Sequence, residues 1–391
     1  MTSKVQAQSS SMALWTIRAV ALVAFMDLFM QLPVVATYAR SLGAAAAMIG
    51  VTVGMYSATN LLGNLGAGVM LDRMDRKRLV VIGMILTAAS LYAYSFVDTP
   101  VQLLVLRAFH GLFAGVLAPG AFAMLGDRSR SQRVRSMGMS GSLIAVSAVI
   151  GPLLAGWISV ELGYEAVFVT SATLMLVAAL AFLVLVPGTD HSSSEPSHDR
   201  QQVSSLARNG VLLRVFWAVL VMTFGIGVLI NYLPIVVEEM GGSARTSGIA
   251  FATFSLVATA LMASPLHRVM DARSRAITIV CGLGFLGVSS LMLAALGAAA
   301  AALFPAMVIF GLGFGMLFPS LSASVADQAG SSQRGTAFGI FYAIYSLGVF
   351  VGAVVSGGVS GAFADLGAPF YLAAAVPLIA IPVAFGIRAR Q

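Results

Sequence analysis

The feature that most constrains this chain is a series of long apolar runs that contain almost no charged residues. Charged side chains make up 9% of the 391 residues and hydrophobic ones 59%, whereas a soluble domain carries about 25% charged residues. A hydrocarbon core about 30 Å thick accepts apolar helices of about 20 residues and excludes charge. The runs are too long for strands and lack their alternation. The sequence therefore predicts an all-α membrane protein.

Charged or Pro/Gly-rich breaks divide the chain into twelve predicted transmembrane spans. They lie near residues 13–38, 46–71, 79–97, 100–125, 137–160, 165–187, 212–237, 246–266, 277–297, 300–325, 335–363 and 368–387. One long polar segment separates the first six spans from the last six. We therefore predict an N-terminal six-helix bundle over residues 1–187, a cytoplasmic linker over residues 188–211 and a C-terminal six-helix bundle over residues 212–391.

The basic residues predict the orientation of these spans. The net charge of +7 comes from Lys and Arg residues scattered over short loops, which argues against nucleic acid as a partner. With the N-terminus inside, Arg40 and Arg245 are the only basic residues in outer loops, and Arg107 falls within a span. The Lys/Arg bias of loops sets the orientation of membrane proteins. We therefore expect a multi-pass protein of the bacterial inner membrane with both termini in the cytoplasm.

The two halves of the chain resemble each other at offsets of 200 or 201 positions. The matched pairs are Leu32/Leu233, Pro33/Pro234, Gly111/Gly311, Gly115/Gly315, Pro119/Pro319, Asp127/Asp327, Gly151/Gly352 and Gly156/Gly357. Eight matches at two adjacent offsets indicate a duplication. We therefore predict two pseudo-symmetric bundles, an arrangement that recurs in transporters with a site between the repeats.

A charged turn joins the second and third spans. It resembles the G-x-x-x-D-R-x-G-R-R/K loop of the major facilitator superfamily, and the residues that carry the match are Gly68, Asp72, Arg73 and Arg76. Asp75 departs from the pattern, which usually has glycine there. The resemblance implies a cytoplasmic gate in which Asp72 faces the helix that starts near Gly335, while Arg76 pairs with Asp127. Alternatively, these charges only fix the topology.

The fourth span contains Arg107 and His110, followed by Gly111 and Gly115. This pattern is similar to the fourth-helix motif of the same family, with His110 near the usual glutamine. An arginine inside a membrane is costly unless it is paired or hydrated. We expect Arg107 to act in coupling or substrate binding, unless its side chain extends to the interface. His110 is either a second protonatable group or a packing residue.

The fifth span resembles the antiporter motif of the superfamily. The matching residues are Gly138, Gly151, Pro152 and Gly156, and Ser147 and Ala155 replace two glycines of the motif. Small residues let helices approach closely, and a proline removes a backbone hydrogen bond and bends a helix. The resemblance implies exchange rather than uptake.

Asp27 lies well inside the first span, followed by Gln31 and Pro33. The arrangement is similar to the first helix of the twelve-helix drug:proton antiporters. The equivalent residue in the second half is Val228, so Asp27 is not part of the duplicated scaffold. A carboxylate within a membrane is a functional candidate by default. We predict that Asp27 couples transport to protons and that Arg107 lies close to it; alternatively, Asp27 only neutralises Arg107.

The remaining predictions concern substrate and cofactors. Gln31, Arg107, Asn231 and Tyr232 are the predicted substrate contacts. No nucleotide-binding loop, metal-binding cluster or nucleophile motif occurs in the sequence, so we expect no cofactor and no enzymatic activity. The family resemblance implies a monomer in the lipid bilayer that exports small hydrophobic or amphiphilic compounds in exchange for protons. A metabolite carrier for a sugar, an amino acid or an organic anion, and a lipid flippase, remain open alternatives.

Overall fold

The computed structural model describes residues 2–126, 130–186, 206, 208–297, 299–329, 333–363 and 365–384. Within these residues the chain is helical and contains no β-strand, which confirms the all-α class. The helices of the N-terminal half are α1 (Thr2–Met30), α2 (Val35–Ser41), α3 (Ala46–Arg73), α4 (Arg76–Ala93), α5 (Pro100–Ala114), α6 (Leu117–Gly126), α7 (Arg130–Leu162) and α8 (Tyr164–Leu185). Those of the C-terminal half are α9 (Gly210–Glu239), α10 (Ala244–Ala263), α11 (Leu266–Ala294), α12 (Leu303–Gln328), α13 (Arg334–Ala362) and α14 (Ala368–Ala384).

Ten helical segments of the described chain are long and apolar enough to cross a bilayer. Of the other two predicted spans, α3 has 28 residues but contains Asn60 and Asn64, and α14 has 17 residues. Both lie at the predicted positions. The count of twelve therefore remains a prediction.

The first predicted span is interrupted rather than continuous. α1 ends at Met30, and the chain turns through residues 31–34 before α2 begins. Pro33 explains this break, because proline lacks an N–H and disfavours helical geometry in the residue before it. Its equivalent in the second half, Pro234, lies inside the continuous helix α9. The break therefore occurs in the first half alone, a few residues after Asp27.

The contacts between helices repeat from one half to the other. In the N-terminal half α1 packs on α7, α3 on α5 and α4 on α8; in the C-terminal half the equivalent pairs are α9 with α13, α10 with α12 and α11 with α14. The halves join through α3 with α13 and α7 with α10, which are again equivalent pairs. This pattern agrees with the duplication inferred from the offsets, and the largest buried hydrophobic cluster extends through both halves.

The halves meet tightly at one end of the molecule, which carries Arg40, Glu161, Glu239 and Arg245 and is called the closed end below. There Gly50 of α3 lies directly against the carbonyl of Ala353 in α13, so that no side chain fits between the helices. One turn farther along α3, a Cβ on Gly54 would lie 3.1 Å from the Phe350 carbonyl oxygen. The close contact of α3 with α13 thus extends over a full helical turn at this end.

Candidate functional site

Asp27 is buried in the N-terminal half, with 1% of its surface exposed. Its Oδ1 accepts hydrogen bonds from Gln31 Nε2 at 2.8 Å and from Ser171 Oγ at 3.1 Å. Its Oδ2 lies 2.8 Å from His110 Nε2. Gln31 is the first residue after α1 and lies four positions from Asp27, a spacing at which side chains meet over one helical turn. Helices α1, α5 and α8 thus hold the carboxylate together.

His110 links this carboxylate to Tyr94. The imidazole is fully buried, and its Nδ1 lies 3.0 Å from the Tyr94 hydroxyl. The ring packs edge-on against Tyr56 and Tyr94, with centroid distances of 5.0 and 5.7 Å. Both ring nitrogens therefore have a partner, and the neighbouring rings restrict the orientation of the imidazole.

Arg107 reaches Asp27 through Gln31. Its Nη1 donates to Gln31 Oε1, while Nη2 donates to the Val53 carbonyl at 3.2 Å and Nε to the Thr52 carbonyl at 3.4 Å. The guanidinium is 6% exposed. Two opposite charges are thus buried in one network, which offsets part of their desolvation cost. Arg107 and Asp27 are close, as expected, but the glutamine lies between them.

Three residues of this network were not predicted from the sequence: Tyr56, Tyr94 and Ser171. The Tyr56 ring lies 4.9 Å from the Arg107 guanidinium as well as against His110. Each of the three lies outside α1 and α5, and no sequence spacing links it to Asp27. In the sequence, these residues are distinguished only by a hydroxyl group within an apolar span. We call the full set the Asp27 cluster, comprising Asp27, Gln31, Tyr56, Tyr94, Arg107, His110 and Ser171.

The structure places Asn231 and Tyr232 in the C-terminal half, outside the Asp27 cluster. Asn231 Nδ2 donates to Ser356 Oγ at 3.0 Å, and its buried Oδ1 has no hydrogen-bond partner among the described residues. Tyr232 lines a cavity of about 280 Å³ at the closed end, together with Arg40 and Glu239. The four predicted substrate contacts therefore divide between two places.

The antiporter motif lies on α7, and part of it faces α1. A Cβ on Gly151 would lie 2.9 Å from the Phe29 Cβ, so only glycine permits this approach near the Asp27 cluster. Pro152 lies inside the continuous helix. Gly138 also belongs to α7, in a stretch whose side chains lie outside the described part.

Gly156, the last residue of the motif, lies at the junction with the C-terminal half. A Cβ there would meet the Ala244 carbonyl and lie 3.0 Å from the Arg245 Cα. Arg245 Nη2 donates to Glu161 Oε1 at 2.5 Å, and Arg40 pairs with Glu239 at 2.8 Å. These ion pairs join the halves at the closed end. Their side chains are partly exposed, so each contributes about 0–1 kcal/mol.

Most of the predicted gate lies outside the described side chains. These residues are Gly68, Asp72 and Arg73, which belong to the end of α3, and Asp127, which falls outside the described chain. Arg76 is the first residue of α4. Asp75 caps that helix, because its Oδ1 accepts a hydrogen bond from the Arg78 backbone N–H at 2.8 Å. The residue that departs from the family glycine therefore stabilises a helix terminus.

The second half contains a pair related to the predicted gate. Arg275 Nη1 donates to Asp327 Oδ2 at 2.6 Å, and Asp327 is the repeat equivalent of Asp127. The contact joins α11 to the end of α12. The pairing of Arg76 with Asp127 remains a prediction, which the symmetry of the halves favours.

Two pseudo-symmetric sets of helices, joined at one end, with a buried ionisable cluster inside the first set, define a multi-pass membrane transporter. The chain belongs to the Major Facilitator Superfamily, whose model matches residues 19–266 and 215–391. It is similar to the inner membrane transport protein YajR of Escherichia coli K12, with 24% identity over 356 residues, 90% of this chain and 78% of YajR. It is also 22% identical over 362 residues to the quinolone resistance protein NorA of Staphylococcus aureus Mu50, covering 92% of each chain.

Solved structures share this fold. A bacterial homolog of the human lysosomal transporter Spinster, inward-facing and unoccupied, aligns with a TM-score of 0.81 at 15% identity, covering 98% of this chain and 99% of that one. The nucleoside transporter NupG gives a TM-score of 0.80 at 14% identity, covering 96% and 99%. The peptide transporter POT gives 0.78 at 14% identity, covering 96% and 94%. The family prediction is confirmed, whereas these neighbours carry different substrates.

Proposed function

We propose that this protein is a secondary active transporter that exports small hydrophobic or amphiphilic compounds in exchange for protons. The observation that carries the proposal is the buried contact between Asp27 and His110 at 2.8 Å. Ionisable groups inside a membrane are costly and mark functional sites. Val228 occupies the repeat position of Asp27, so the scaffold does not require the carboxylate. The distant similarity to NorA, a quinolone resistance protein, agrees with export.

We further propose twelve spans with both termini in the cytoplasm. In that orientation the closed end faces outwards, and its close packing supports an inward-facing state. A compound would bind from the cytoplasm after Asp27 has released its proton. Closing the cytoplasmic end and opening the closed end would then release the compound. One proton moving inwards down 100 mV supplies about 2.3 kcal/mol for this cycle.

An aromatic wall in the C-terminal half supports a hydrophobic substrate. It comprises Phe254, Phe314, Phe318 and Tyr345, whose successive ring centroids lie 5.5, 5.6 and 6.4 Å apart. All four are partly exposed. They lie on α10, α12 and α13, and two of these helices, α10 and α13, also join the halves. Aromatic faces bind apolar groups over large areas without a polar partner.

The surroundings of Arg107 favour export over the carriage of organic anions. Its guanidinium already donates to Gln31 and to two backbone carbonyls of α3. An anionic substrate would have to displace these partners and leave buried acceptors unsatisfied. We therefore assign Arg107 to the coupling network and place the substrate at the aromatic wall.

Proteoliposomes with an imposed pH gradient test the proposal. The purified protein is given a panel of fluorescent lipophilic cations, neutral amphiphiles, sugars and organic anions, with a pH-sensitive dye inside the vesicles. We expect the hydrophobic compounds to drive proton movement, and Asp27→Asn to abolish it. Glu165→Gln, which removes an exposed carboxylate of the same half, should behave as wild type.

Two results would contradict the proposal. Gradient-driven transport that persists in Asp27→Asn would exclude Asp27 as the coupling group. Proton movement that responds only to sugars or organic anions, or movement of labelled lipid alone, would indicate a metabolite carrier or a flippase instead.

A further inference from the structure

We propose that the Tyr94 hydroxyl is a proton-handling group, and that Asp27 gains its proton through His110 from Tyr94. The inference rests on the proposed proton coupling and adds to it a path and a residue. Its basis is the continuous hydrogen-bonded series Asp27 Oδ2, His110 Nε2, His110 Nδ1 and Tyr94 Oη, with contacts of 2.8 and 3.0 Å.

The first step is that only one oxygen of Asp27 is available to a proton. Oδ1 accepts hydrogen bonds from Gln31 Nε2 and from Ser171 Oγ. The Gln31 amide cannot be reversed, because its Oε1 accepts from Arg107, and a guanidinium only donates. Oδ1 therefore faces an N–H group whatever the charge of Asp27. A proton on Asp27 belongs on Oδ2, opposite His110 Nε2.

The second step is that the charge of Asp27 selects the tautomer of His110. An ionised carboxylate only accepts, so Nε2 carries the hydrogen and a neutral ring accepts the Tyr94 O–H at Nδ1. A carboxylic acid at Oδ2 donates to Nε2, so Nδ1 carries the hydrogen and donates to Tyr94 Oη. Both hydrogen bonds are present in both states, but each reverses its direction.

Proton uptake then follows with all protons accounted for. The Tyr94 O–H bond breaks as His110 Nδ1 gains that proton. The Nε2–H bond of His110 breaks as Asp27 Oδ2 gains its proton. Tyr94 is fully buried in this state, so its Oη receives the replacement proton once the closed end has opened, from a hydronium ion that becomes water. The net change is one proton added to Asp27, and the imidazole ring does not need to rotate.

The position of Tyr94 suits entry from the closed end. It begins the short 3-10 helix Tyr94–Phe96, which is followed by the exposed residue Asp98. Its carbonyl accepts a hydrogen bond from the Tyr38 hydroxyl at 3.0 Å, which holds the start of this turn. The path therefore runs from Asp27 towards the closed end, whereas the aromatic wall lies in the other half.

The other titratable groups around the imidazole do not belong to this path. Arg107 of α5 is bonded to Gln31 and to the α3 carbonyls and also interacts with the Tyr94 hydroxyl. A guanidinium only donates hydrogen bonds and keeps its protons, so Arg107 passes no proton to the imidazole. Tyr56 of α3 contacts the imidazole with its ring, at a centroid distance of 5.0 Å. Tyr94 is thus the group whose hydroxyl meets the free nitrogen of the ring.

Tyr94→Phe removes the hydroxyl and keeps the ring, which packs against Phe168 at 4.8 Å between centroids. We expect gradient-driven export to slow by roughly a hundredfold, the lower end of the range for a lost acid–base group, with an altered pH profile and an unchanged KM for the compound. Tyr92→Phe is the matched control, because Tyr92 lies two residues earlier, near the end of α4, and its hydroxyl contacts Thr173 at 2.9 Å. It should match wild type in rate and pH profile.

A second measurement does not depend on any Tyr94 variant. Nitrogen NMR of protein labelled at histidine reports the tautomer of each of the four histidines, and His110→Gln assigns the signal. We expect His110 to carry its hydrogen on Nε2 at high pH and on Nδ1 at low pH, and this switch should disappear in Asp27→Asn.

Either of two results would overturn the path. The first is a Tyr94→Phe protein with wild-type rate and pH profile while Asp27→Asn remains uncoupled. The second is a His110 that keeps one tautomer, or becomes doubly protonated, over the range in which transport changes. Coupling that survives Asp27→Asn would instead overturn the proposed function itself.

Discussion

His110 Nε2 lies 2.8 Å from Asp27 Oδ2, although the two residues are 83 positions apart. The contact bridges α1 and α5, and Gln31 extends it to Arg107. Each side chain in this network forms a hydrogen bond with a buried polar group of another member. The loss of one side chain should therefore cost more than its own hydrogen bonds, because the partner it leaves behind stays buried.

Gln31→Met should lower stability by about 1–3 kcal/mol, because it leaves a buried donor of Arg107 without its partner and removes one of the two hydrogen bonds to Asp27 Oδ1. Ser171→Ala should cost less, since Asp27 Oδ1 then keeps the Gln31 amide. Thermal unfolding of the purified protein in detergent measures both. A Gln31→Met protein as stable as wild type would show that the glutamine bridge contributes nothing.

Arg107→Ala should destabilise the protein by about 3–5 kcal/mol, as expected when one member of a buried charge network is removed. Arg107→Lys should fall between this variant and wild type. Lysine restores the charge but not the planar set of donors that reaches Gln31 and two α3 carbonyls. Arg245→Ala, which breaks a partly exposed pair, serves as control and should cost no more than about 1 kcal/mol. Equal losses of stability in Arg107→Ala and Arg245→Ala would show that burial does not increase the cost of removing a charged side chain.

The sequence allowed prediction of the charged part of the Asp27 cluster but not of its hydroxyl groups. Asp27, Arg107 and His110 stood out because ionisable residues are rare in apolar spans. Tyr94 and Ser171 did not stand out, since such residues are common in membrane helices. Which of them joins the cluster depends on how α8 and the 3-10 helix after α4 pack, and spacing along one chain does not contain that information.

The parts of the fold that depend on composition and on patterns along the sequence were predictable. Helix positions, the duplication and the family follow from apolar runs, repeat offsets and short motifs. The break in the first span was not predicted, although Pro33 provides a physical cause for it. A proline alone does not predict such a break, because the repeat equivalent Pro234 lies inside the continuous helix α9. The predicted substrate contact Tyr232 lines the cavity at the closed end together with Glu239, a location that the sequence did not indicate. A residue's depth along a helix does not give the direction in which its side chain points.

Gly156→Ala should favour opening of the closed end, because its Cβ would overlap the Ala244 carbonyl. Ile49 lines the cavity there and is 3% exposed, so a cysteine at this position reports the opening through its rate of maleimide labelling. The exposed Cys281 is first replaced by serine. Gly358→Ala is the matched control, since no described atom lies within 4 Å of a Cβ there. Equal labelling rates in the two variants would show that close packing at Gly156 does not hold this end closed.

Charge exchange at Arg245 and Glu161 tests whether the ion pairs also hold this end closed. Either Arg245→Glu or Glu161→Arg alone places like charges opposite each other across the two halves, and the double variant restores an attractive pair. Because partly exposed pairs are worth about 0–1 kcal/mol, we expect each single variant to raise the labelling rate of a cysteine at Ile49 only severalfold.

The double variant should return this rate to the wild-type value, and salt should reduce all the differences, because exposed charges are screened within about 3 Å at 1 M ionic strength. The same exchange at Arg275 and Asp327 is the matched control, since that pair lies within the C-terminal half and should leave labelling at the closed end unchanged. Two results would exclude the attraction between Arg245 and Glu161 as a force that closes this end. The first is a double variant that is labelled as fast as the single variants, and the second is a difference in labelling rate between variants that persists in high salt.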